Sequence, residues 1–202
     1  MRIGAFGGTF DPPHLGHLIL AAEACDRLGL ERLLWVLTPD PPHKRSQVIR
    51  PWQERLELVQ AAIAGNPRFE ISRVEINRPG PHYAVDTVRL LKSQYPGAQL
   101  VYLIGGDSLH DLPTWFQPQE LVKVTDVFGV MRRPDDGVDL AALEEVLPGL
   151  TAKLEFVQAP LLEIASNQIR QRVAADRPYR YYLPAAVYDI IRARGYYHQA
   201  ED

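Results

Sequence analysis

The sequence predicts an α/β fold in which a doubly wound parallel sheet forms a single domain. Short apolar stretches alternate along the chain with segments rich in good helix formers, which is typical of parallel strands joined by helical crossovers. The stretch Leu100–Ile104 is apolar throughout, as expected of a central parallel strand. Glycine-rich turns follow two of the predicted strands, at the sheet edge where open α/β sheets bind their ligands.

The predicted elements follow from apolar runs and from the residues that punctuate them. Strands are predicted at 2–6, 33–38, 69–72, 100–104, 127–131 and 153–157. Helices are predicted at 18–28, 51–64, 83–95, 140–147, 166–174 and 184–194. Pro51 and Gly65 mark the two ends of one helix, and Ser166 is the predicted N-cap of another. All 202 residues are assigned to one domain, because the chain is too short to form two domains that each have a full hydrophobic core.

Composition excludes several classes of protein. The formal net charge of −3 argues against a broadly basic surface, and so against nucleic acid as the main partner. No apolar run reaches the length needed to span a membrane, and no membrane partner is expected. The single cysteine, Cys25, cannot form an internal disulfide, which suits the reducing cytoplasm. The sequence does not decide whether the chain forms a homo-oligomer.

The turn after the first strand, residues 7–17, carries the main functional prediction. Its glycines let the backbone approach a phosphate closely. His14 and His17 lie at positions i and i+3 where a helix begins, so both imidazoles can share one face beside the positive end of the helix dipole. This pattern predicts a site for the oxyanions of a triphosphate. The candidate ligand contacts in the turn are Gly7, Gly8, Thr9, Phe10, His14, Gly16 and His17.

Two alternatives exist for this turn. Its histidines can be ordinary polar surface residues on a glycine-rich turn. Asp11, His14 and His17 can also ligate zinc, although the sequence has no further His/Cys cluster to complete a closed shell.

Polar residues also follow other predicted strands. Lys44 lies in a proline-rich loop, Asp107 follows the glycine pair that starts at Gly105, and Arg133 follows the fifth strand. Loops after parallel strands gather at one edge, so these residues and the segment around Ser166 are candidates for one pocket. There Lys44 would clamp phosphoryl oxygens and Asp107 would accept a hydrogen bond from a ribose hydroxyl.

The helix predicted to begin at Ser166 supplies a second phosphate-binding candidate. Its amide N–H groups, the Ser166 hydroxyl and Arg170 one turn on are suited to grip β- and γ-phosphates.

The candidate residues outside the first turn also have plain structural explanations. Lys44 can belong to a solvated loop, Asp107 can be a helix N-cap, and Arg170 can be exposed on an ordinary capped helix.

The run Gly8–Pro12 followed by His14–His17 resembles the signature of the HxGH nucleotidyltransferases. Pro42-His43-Lys44 and Leu112-Pro113-Thr114-Trp115 resemble elements of the bacterial nicotinate-nucleotide adenylyltransferases in that superfamily. The resemblance extends from residue 1 to about residue 197. It implies a Rossmann-like fold and transfer of the AMP moiety of ATP to nicotinate mononucleotide, which gives deamido-NAD and pyrophosphate in NAD biosynthesis. It also implies that the helical part at about 160–197 completes the ATP site.

The resemblance also implies a role for each matching residue. The catalytic set is His14, His17, Lys44 and Arg170. The ATP-binding set is Gly7, Gly8, Thr9, Phe10, His14, Gly16, His17, Gly105, Asp107, Ser166, Asn167, Ile169 and Arg170. The mononucleotide-binding set is Thr9, Lys44, Tyr83, Ala84, Trp115, Phe116 and Arg133, in which Trp115 would stack on the pyridine ring. The expected cofactor is Mg²⁺, held mainly through ATP, with no metal ligands assigned to the chain.

The chain departs from the family pattern at four positions. The segment Ile164–Arg170 resembles a second signature of the family, usually Ile-Ser-x-Thr-x-Ile-Arg. Ala165 and Asn167 replace its usual serine and threonine, whereas Ile169 and Arg170 match it. The family commonly has threonine at position 84 and tyrosine at position 116, where this chain has alanine and phenylalanine. These two changes leave the preference for the acid over the amide mononucleotide open.

Three other functions stay open at this point. The chain can adenylylate nicotinamide mononucleotide or phosphopantetheine instead, although Trp115 favours a pyridine substrate. It can be a non-catalytic module that binds ATP, but the presence of both histidines and Lys44 argues against this function. It can also be a fragment related to a tRNA synthetase, which the acidic net charge disfavours.

Overall fold

The computed structural model describes residues 1–41, 48–132, 137–160 and 162–198. The strands are β1 (Arg2–Gly8), β2 (Arg32–Leu37), β3 (Phe69–Ser72), β4 (Gln99–Gly105), β5 (Val127–Arg132) and β6 (Leu154–Gln158). The α-helices are α1 (Leu15–Arg27), α2 (Trp52–Ile63), α3 (Ala84–Gln94), α4 (Gly106–Asp111), α5 (Pro118–Val124), α6 (Leu140–Val146), α7 (Ser166–Ala174) and α8 (Ala185–Arg194).

Within those ranges the six strands form a single sheet in the order β3-β2-β1-β4-β5-β6, and every neighbouring pair is parallel. The predicted doubly wound α/β fold is therefore confirmed. The strand order reverses between β1 and β4, which is the topological switch point where ligands of such sheets bind. The turns that follow these two strands begin at Gly8 and Gly105, so both glycine-rich turns lie at the switch point.

Two short helices that the sequence pattern did not predict flank this edge. Helix α4 begins directly after β4 at Gly106, with Gly105 as its N-cap, so the proposal that Asp107 is an N-cap is wrong. Helix α5 begins at Pro118 after Gln117, which adopts a left-handed conformation with φ 50°. Both helices are too short to show a clear apolar period.

Helix α1 begins earlier than predicted, and helix α7 begins at the predicted residue but has a different N-cap. Helix α1 begins at Leu15 with His14 as its N-cap, three residues before the predicted start. Helix α7 begins at Ser166, but its N-cap is Ala165, so the prediction of Ser166 as N-cap is wrong. The Ser166 hydroxyl instead donates a hydrogen bond to the Pro12 carbonyl at 2.9 Å, across the site rather than to its own helix.

Buried side chains form a separate cluster on each face of the sheet and a third cluster at the C-terminal helices. One face packs against α3 and α5 through residues such as Val88 and Leu121. The other packs against α1 and α2 through residues such as Ala24 and Val59. In the third cluster, Leu58 of α2 packs with apolar residues of α7 and α8, which fixes both C-terminal helices beside the sheet. No helix in the described ranges is long and apolar enough to cross a membrane.

Candidate active site

A cavity of about 750 Å³ lies at the switch point. Its walls come from the turn after β1, the end of β4, the segments around Tyr83 and Trp115, and the start of α7. The predicted site residues that line it are Gly7, Gly8, Thr9, Phe10, His17, Tyr83, Ala84, Gly105, Trp115, Phe116, Ser166 and Arg170. Segments distant in sequence thus contribute to one chamber.

Other predicted site residues are not among the cavity-lining residues. Ile169 is fully buried in the C-terminal cluster, which makes it a packing residue in this structure. The remaining described residues outside the lining are His14, Gly16, Asp107 and Asn167. Lys44 and Arg133 fall outside the described residues, and their roles stay predictions from the sequence.

The rings of His14 and His17 lie against each other at the start of α1. Their centroids are 3.7 Å apart and their planes are inclined by 34°. His14 is the N-cap, and its backbone N–H donates a hydrogen bond to Nδ1 of His17 at 3.2 Å. Because Nδ1 of His17 accepts this bond in the neutral ring, its proton resides on Nε2. The N-terminus of the helix therefore selects the tautomer in which Nε2–H of His17 is a donor.

His14 is the more buried imidazole of the pair, with 6% of its surface exposed. Burial lowers the pKa of His14 to about 4, so the ring is neutral at pH 7. Its Nδ1 atom is buried and has no hydrogen-bond partner among the described residues. Leaving a buried nitrogen without a hydrogen-bond partner carries a cost in free energy.

Gly16 makes room for the His14 ring. A Cβ atom at position 16 would lie 3.0 Å from Nδ1 and 3.1 Å from Cε1 of that ring. Sequence reasoning placed Gly16 among the candidate ligand contacts. In the folded protein, the His14 imidazole occupies the space that a side chain at position 16 would need.

Phe10 forms the wall behind His17. It has a left-handed backbone with φ 49°, and its ring packs edge-on against His17 with centroids 5.2 Å apart. Gly8 admits this ring, because a Cβ there would lie 2.7 Å from Cζ of Phe10. The second glycine of the turn thus accommodates an aromatic ring.

Arg170 and Ser166 connect helix α7 to the first turn. Arg170 Nη1 donates a hydrogen bond to the Asp11 carbonyl at 2.8 Å, and Ser166 bonds to Pro12 as described above. Asp11 lines the cavity and is 3% exposed. The two phosphate-binding candidates predicted separately from sequence are therefore parts of one hydrogen-bonded unit.

Sequence reasoning did not identify Arg55, a residue of α2 that is 1% exposed. Its guanidinium donates hydrogen bonds to carbonyl oxygens of four residues at 2.6–2.9 Å: Thr9, Thr38, Pro39 and Arg50. These bonds join the glycine-rich turn to both flanks of the segment that contains Lys44. The only sequence signal was an arginine on the apolar face of a predicted helix.

Aromatic rings line the opposite end of the cavity. Tyr83 and Phe116 stack with centroids 4.1 Å apart and planes inclined by 19°, and Trp115 lies beside them in the lining. Ala84 begins helix α3 at this point, so the amide groups of that helix N-terminus face the same region. This end can accept a flat ring with a polar substituent.

A buried polar network lies below these aromatic rings. The Thr87 hydroxyl donates to Oε1 of Glu75 at 2.6 Å, and Arg78 donates to Thr87 at 3.4 Å. Burial raises the pKa of Glu75, although hydrogen bonds from Thr87 and Thr38 oppose the rise. Glu75 and Thr87 both line the cavity. Sequence reasoning did not identify this network, because Glu75 and Arg78 lie in the loop after β3 and meet Thr87 of α3 only in the folded chain.

The described residues contain no group of three or more His, Cys, Asp or Glu side chains placed to hold a metal ion. In particular, the Asp11 carboxylate is engaged by Tyr197, whose hydroxyl lies 2.7 Å away. The zinc site considered from sequence therefore has no support in this part of the chain.

Fold and site together define a doubly wound α/β protein with a cavity beside the glycine-rich turn at its switch point. The sequence profile of the cytidylyltransferase-like family matches residues 5–172 of this chain. The match includes both histidines and most of helix α7, so it covers both sides of the phosphate end of the cavity.

Relatives that match nearly the whole chain give a narrower assignment. A probable nicotinate-nucleotide adenylyltransferase of Thermomicrobium roseum is 44% identical over 200 residues, which cover 99% of this chain and 93% of that protein. One from Roseiflexus castenholzii is 43% identical over 197 residues, covering 97% and 98%. The chain therefore belongs to the cytidylyltransferase-like family and, within it, to the nicotinate-nucleotide adenylyltransferases.

A solved structure shows the same fold. The Plasmodium falciparum nicotinic acid mononucleotide adenylyltransferase complexed with NaAD superimposes with a TM-score of 0.79, covering 97% of each chain. Its sequence identity is 17%, so this likeness supports the fold.

Proposed function

We propose that this chain transfers the AMP moiety of ATP to nicotinate mononucleotide, forming deamido-NAD and pyrophosphate in NAD biosynthesis. The observation that carries the proposal is the shared chamber. A paired-imidazole turn and Arg170 lie at one end, and the aromatic residues Tyr83, Trp115 and Phe116 lie at the other. The extensive identity with the relatives described above supports the same reaction.

The proposed chemistry is direct in-line attack by the 5′-phosphate of the mononucleotide on the α-phosphorus of ATP. The oxygen–phosphorus bond to the attacking phosphate forms while the bond to pyrophosphate breaks. A phosphate dianion is already a nucleophile, so the mechanism requires no general base. Catalysis then consists of positioning and of stabilising the charge that develops on the phosphoryl oxygens.

The donors at the phosphate end are assigned to these oxygens. The Nε2–H of His17 would donate to the reacting phosphate, and neutral His14 would act as a second hydrogen-bonding group beside it. Arg170 would hold the phosphates from the α7 side, with Lys44 predicted opposite. When bound with ATP, Mg²⁺ supplies charge shielding to the pyrophosphate leaving group.

Trp115 is proposed to stack on the pyridine ring of the acceptor, in the recess beside Tyr83 and Phe116. The N-terminal amides of α3 are suited to bind an anionic substituent of that ring. The proposed partners are thus ATP and nicotinate mononucleotide, without nucleic acid or a membrane. The cytoplasmic location is part of the proposal.

The test is pyrophosphate release from ATP and Mg²⁺ by the purified protein with each of three acceptors: nicotinate mononucleotide, nicotinamide mononucleotide and phosphopantetheine. The expected result is the highest kcat/KM with nicotinate mononucleotide. His17→Ala is the matched inactive control. Preference for phosphopantetheine would contradict the proposal, and absence of pyrophosphate with all three would favour a nucleotide-binding module without catalysis.

The amide mononucleotide is the second candidate acceptor, because Ala84 cannot supply the side-chain hydroxyl that the family commonly offers to the nicotinate carboxylate. Direct competition between acid and amide mononucleotides measures the preference. Ala84→Thr is expected to move the ratio of the two kcat/KM values toward the acid. An unchanged ratio would show that the backbone amides alone determine the preference.

A further inference from the structure

Asp11 is the point at which helix α7 is joined to the phosphate-binding turn. Its carbonyl oxygen accepts the hydrogen bond from Arg170 Nη1 at 2.8 Å, and its Oδ2 lies 4.0 Å from the same nitrogen. The position of the Arg170 guanidinium therefore depends on both the backbone and the carboxylate of Asp11. Any movement of this carboxylate would displace a cation from the phosphate end of the cavity.

The Asp11 carboxylate is held by a residue from the far end of the chain. The Tyr197 hydroxyl donates to Oδ1 at 2.7 Å, and the backbone N–H of Arg50 lies 3.5 Å from Oδ2. Among the described residues, Tyr197 provides the short hydrogen bond to this carboxylate. Leaving a buried carboxylate without a good donor carries a large desolvation cost, so the bond strongly constrains where Asp11 can lie.

Tyr197 is itself fixed in place. Helix α8 ends at Gly195 in a left-handed conformation, and Tyr197 repeats that conformation with φ 67°. A non-glycine residue in this region is uncommon and persists where surrounding contacts maintain it. The Arg50 guanidinium lies over the ring, 5.2 Å from its centroid. Burial, followed by the Asp11 charge, raises the pKa of Tyr197, so its phenol remains a proton donor.

We propose that Tyr197 is a positioning residue for adenylyl transfer, holding Asp11 so that Asp11 holds Arg170 against the phosphates. This inference rests on the function proposed above. Tyr197 is absent from the residues that line the cavity, so it acts through Asp11 rather than on the reacting atoms.

The neighbouring tyrosine provides a matched control. Tyr196 has a similar overall exposure, but its hydroxyl donates to Glu57 of α2 at 3.3 Å instead of to Asp11. Tyr197→Phe and Tyr196→Phe each delete one hydroxyl and keep the ring. We expect Tyr197→Phe to lower kcat by roughly 10- to 100-fold, because a displaced positioning group costs about that much. Tyr196→Phe should retain kcat within about twofold of wild type.

A merely structural role would lower thermal stability in both variants but would not change the kinetics below the unfolding transition. Two kinetic readouts are therefore decisive. The KM for the mononucleotide should stay unchanged in Tyr197→Phe, since the aromatic recess lies at the other end of the cavity. Adding Tyr197→Phe to Arg170→Gln should cause no further loss of kcat, because both changes remove the same contribution.

Equal kcat values for the two Tyr→Phe variants, or losses that multiply in the double variant, would overturn the inference. If Tyr197→Phe does not fold, Asp11→Asn tests the same link from its other end: kcat should fall while the KM for the mononucleotide stays constant, and an unchanged kcat would overturn the inference. An inactive wild-type protein would instead overturn the proposed function, which the same assay measures separately.

Discussion

The backbone N–H of His14 donates a hydrogen bond to Nδ1 of His17, and the two rings lie with their centroids 3.7 Å apart. This relationship assigns different tasks to the two nitrogens of His17. Nδ1 satisfies an amide at the helix N-terminus, where amides lack partners within the helix. Nε2 carries the proton and is the atom that can donate to a phosphate oxygen.

The first prediction separates these two tasks by substitution. In His17→Asn the amide can replace Nδ1, whereas in His17→Gln the amide nitrogen can reach the position of Nε2. We expect His17→Asn to keep the melting temperature but lose roughly 100- to 1,000-fold in kcat, as when an oxyanion donor is removed. His17→Gln should retain more activity and less stability. Steady-state kinetics and thermal unfolding of both variants test this, and equal kcat values would contradict the assignment of Nε2.

The second prediction concerns pH and His14. Its pKa is lowered from 6.5 to about 4 in the folded protein, so the unfolded chain binds more protons between these values. The contribution of neutral His14 to stability is therefore complete above about pH 6.5 and is lost as the pH falls toward 4. The full loss amounts to about 3 kcal/mol in the free energy of unfolding.

Urea unfolding of wild type and His14→Gln at several pH values measures this effect. Other groups contribute similarly in both proteins, so the difference between the two curves isolates His14. The stability advantage of wild type should shrink by about 2 kcal/mol between pH 6.5 and pH 5. A difference that does not change with pH would show that His14 titrates normally.

The third prediction concerns the space beside His14. Gly16→Ala places a Cβ 3.0 Å from the His14 ring and should force the imidazole to move. We expect a cost of about 1–3 kcal/mol in stability and a fall in kcat of at least roughly tenfold. Gly65→Ala is the control, since its Cβ would meet nothing within 4 Å. Normal kcat in Gly16→Ala would mean that the position of the His14 ring is unimportant for turnover.

The fourth prediction concerns Arg55, which binds four carbonyl oxygens from inside the protein. Arg55→Lys keeps the positive charge but replaces the planar guanidinium, which has five N–H donors, with a compact ammonium group. Several of the carbonyl oxygens would therefore lose their hydrogen-bond donor. The free energy of unfolding should fall by about 2–4 kcal/mol, which corresponds to a drop in melting temperature of roughly 5–15 °C.

Arg27→Lys serves as its control, because the Arg27 side chain is 49% exposed and its ion-pair partner is Glu23, one helical turn away. Exposed pairs of this kind contribute about 0–1 kcal/mol. Equal melting temperatures for the two variants would refute the role assigned to Arg55.

Site residues could be predicted from the sequence where their roles depend on neighbouring residues, and were mispredicted where their partners lie far along the chain. Gly7, His14 and His17 could be assigned from a single strand-to-helix turn, since close backbone approach and i, i+3 spacing are local properties. Ser166 was predicted to cap its own helix, but its hydroxyl bonds to Pro12, 154 residues away. Asp107 was predicted from a glycine pair, but Gly105 caps helix α4 and Asp107 lies outside the cavity lining.

The sequence by itself determined the parallel sheet and the edge at which the cavity lies, because strand periodicity, glycine placement and helix starts are encoded in adjacent residues. The phosphate-binding character of the first turn stays a prediction from the same local pattern. Only the tertiary structure decided that Gly16 accommodates His14, that Arg55 joins three segments, and that Tyr197 reaches Asp11. The last two contacts join residues that are 46 and 186 positions apart in the chain. Their hydrogen bonds form only after hydrophobic burial has brought the helices against the sheet.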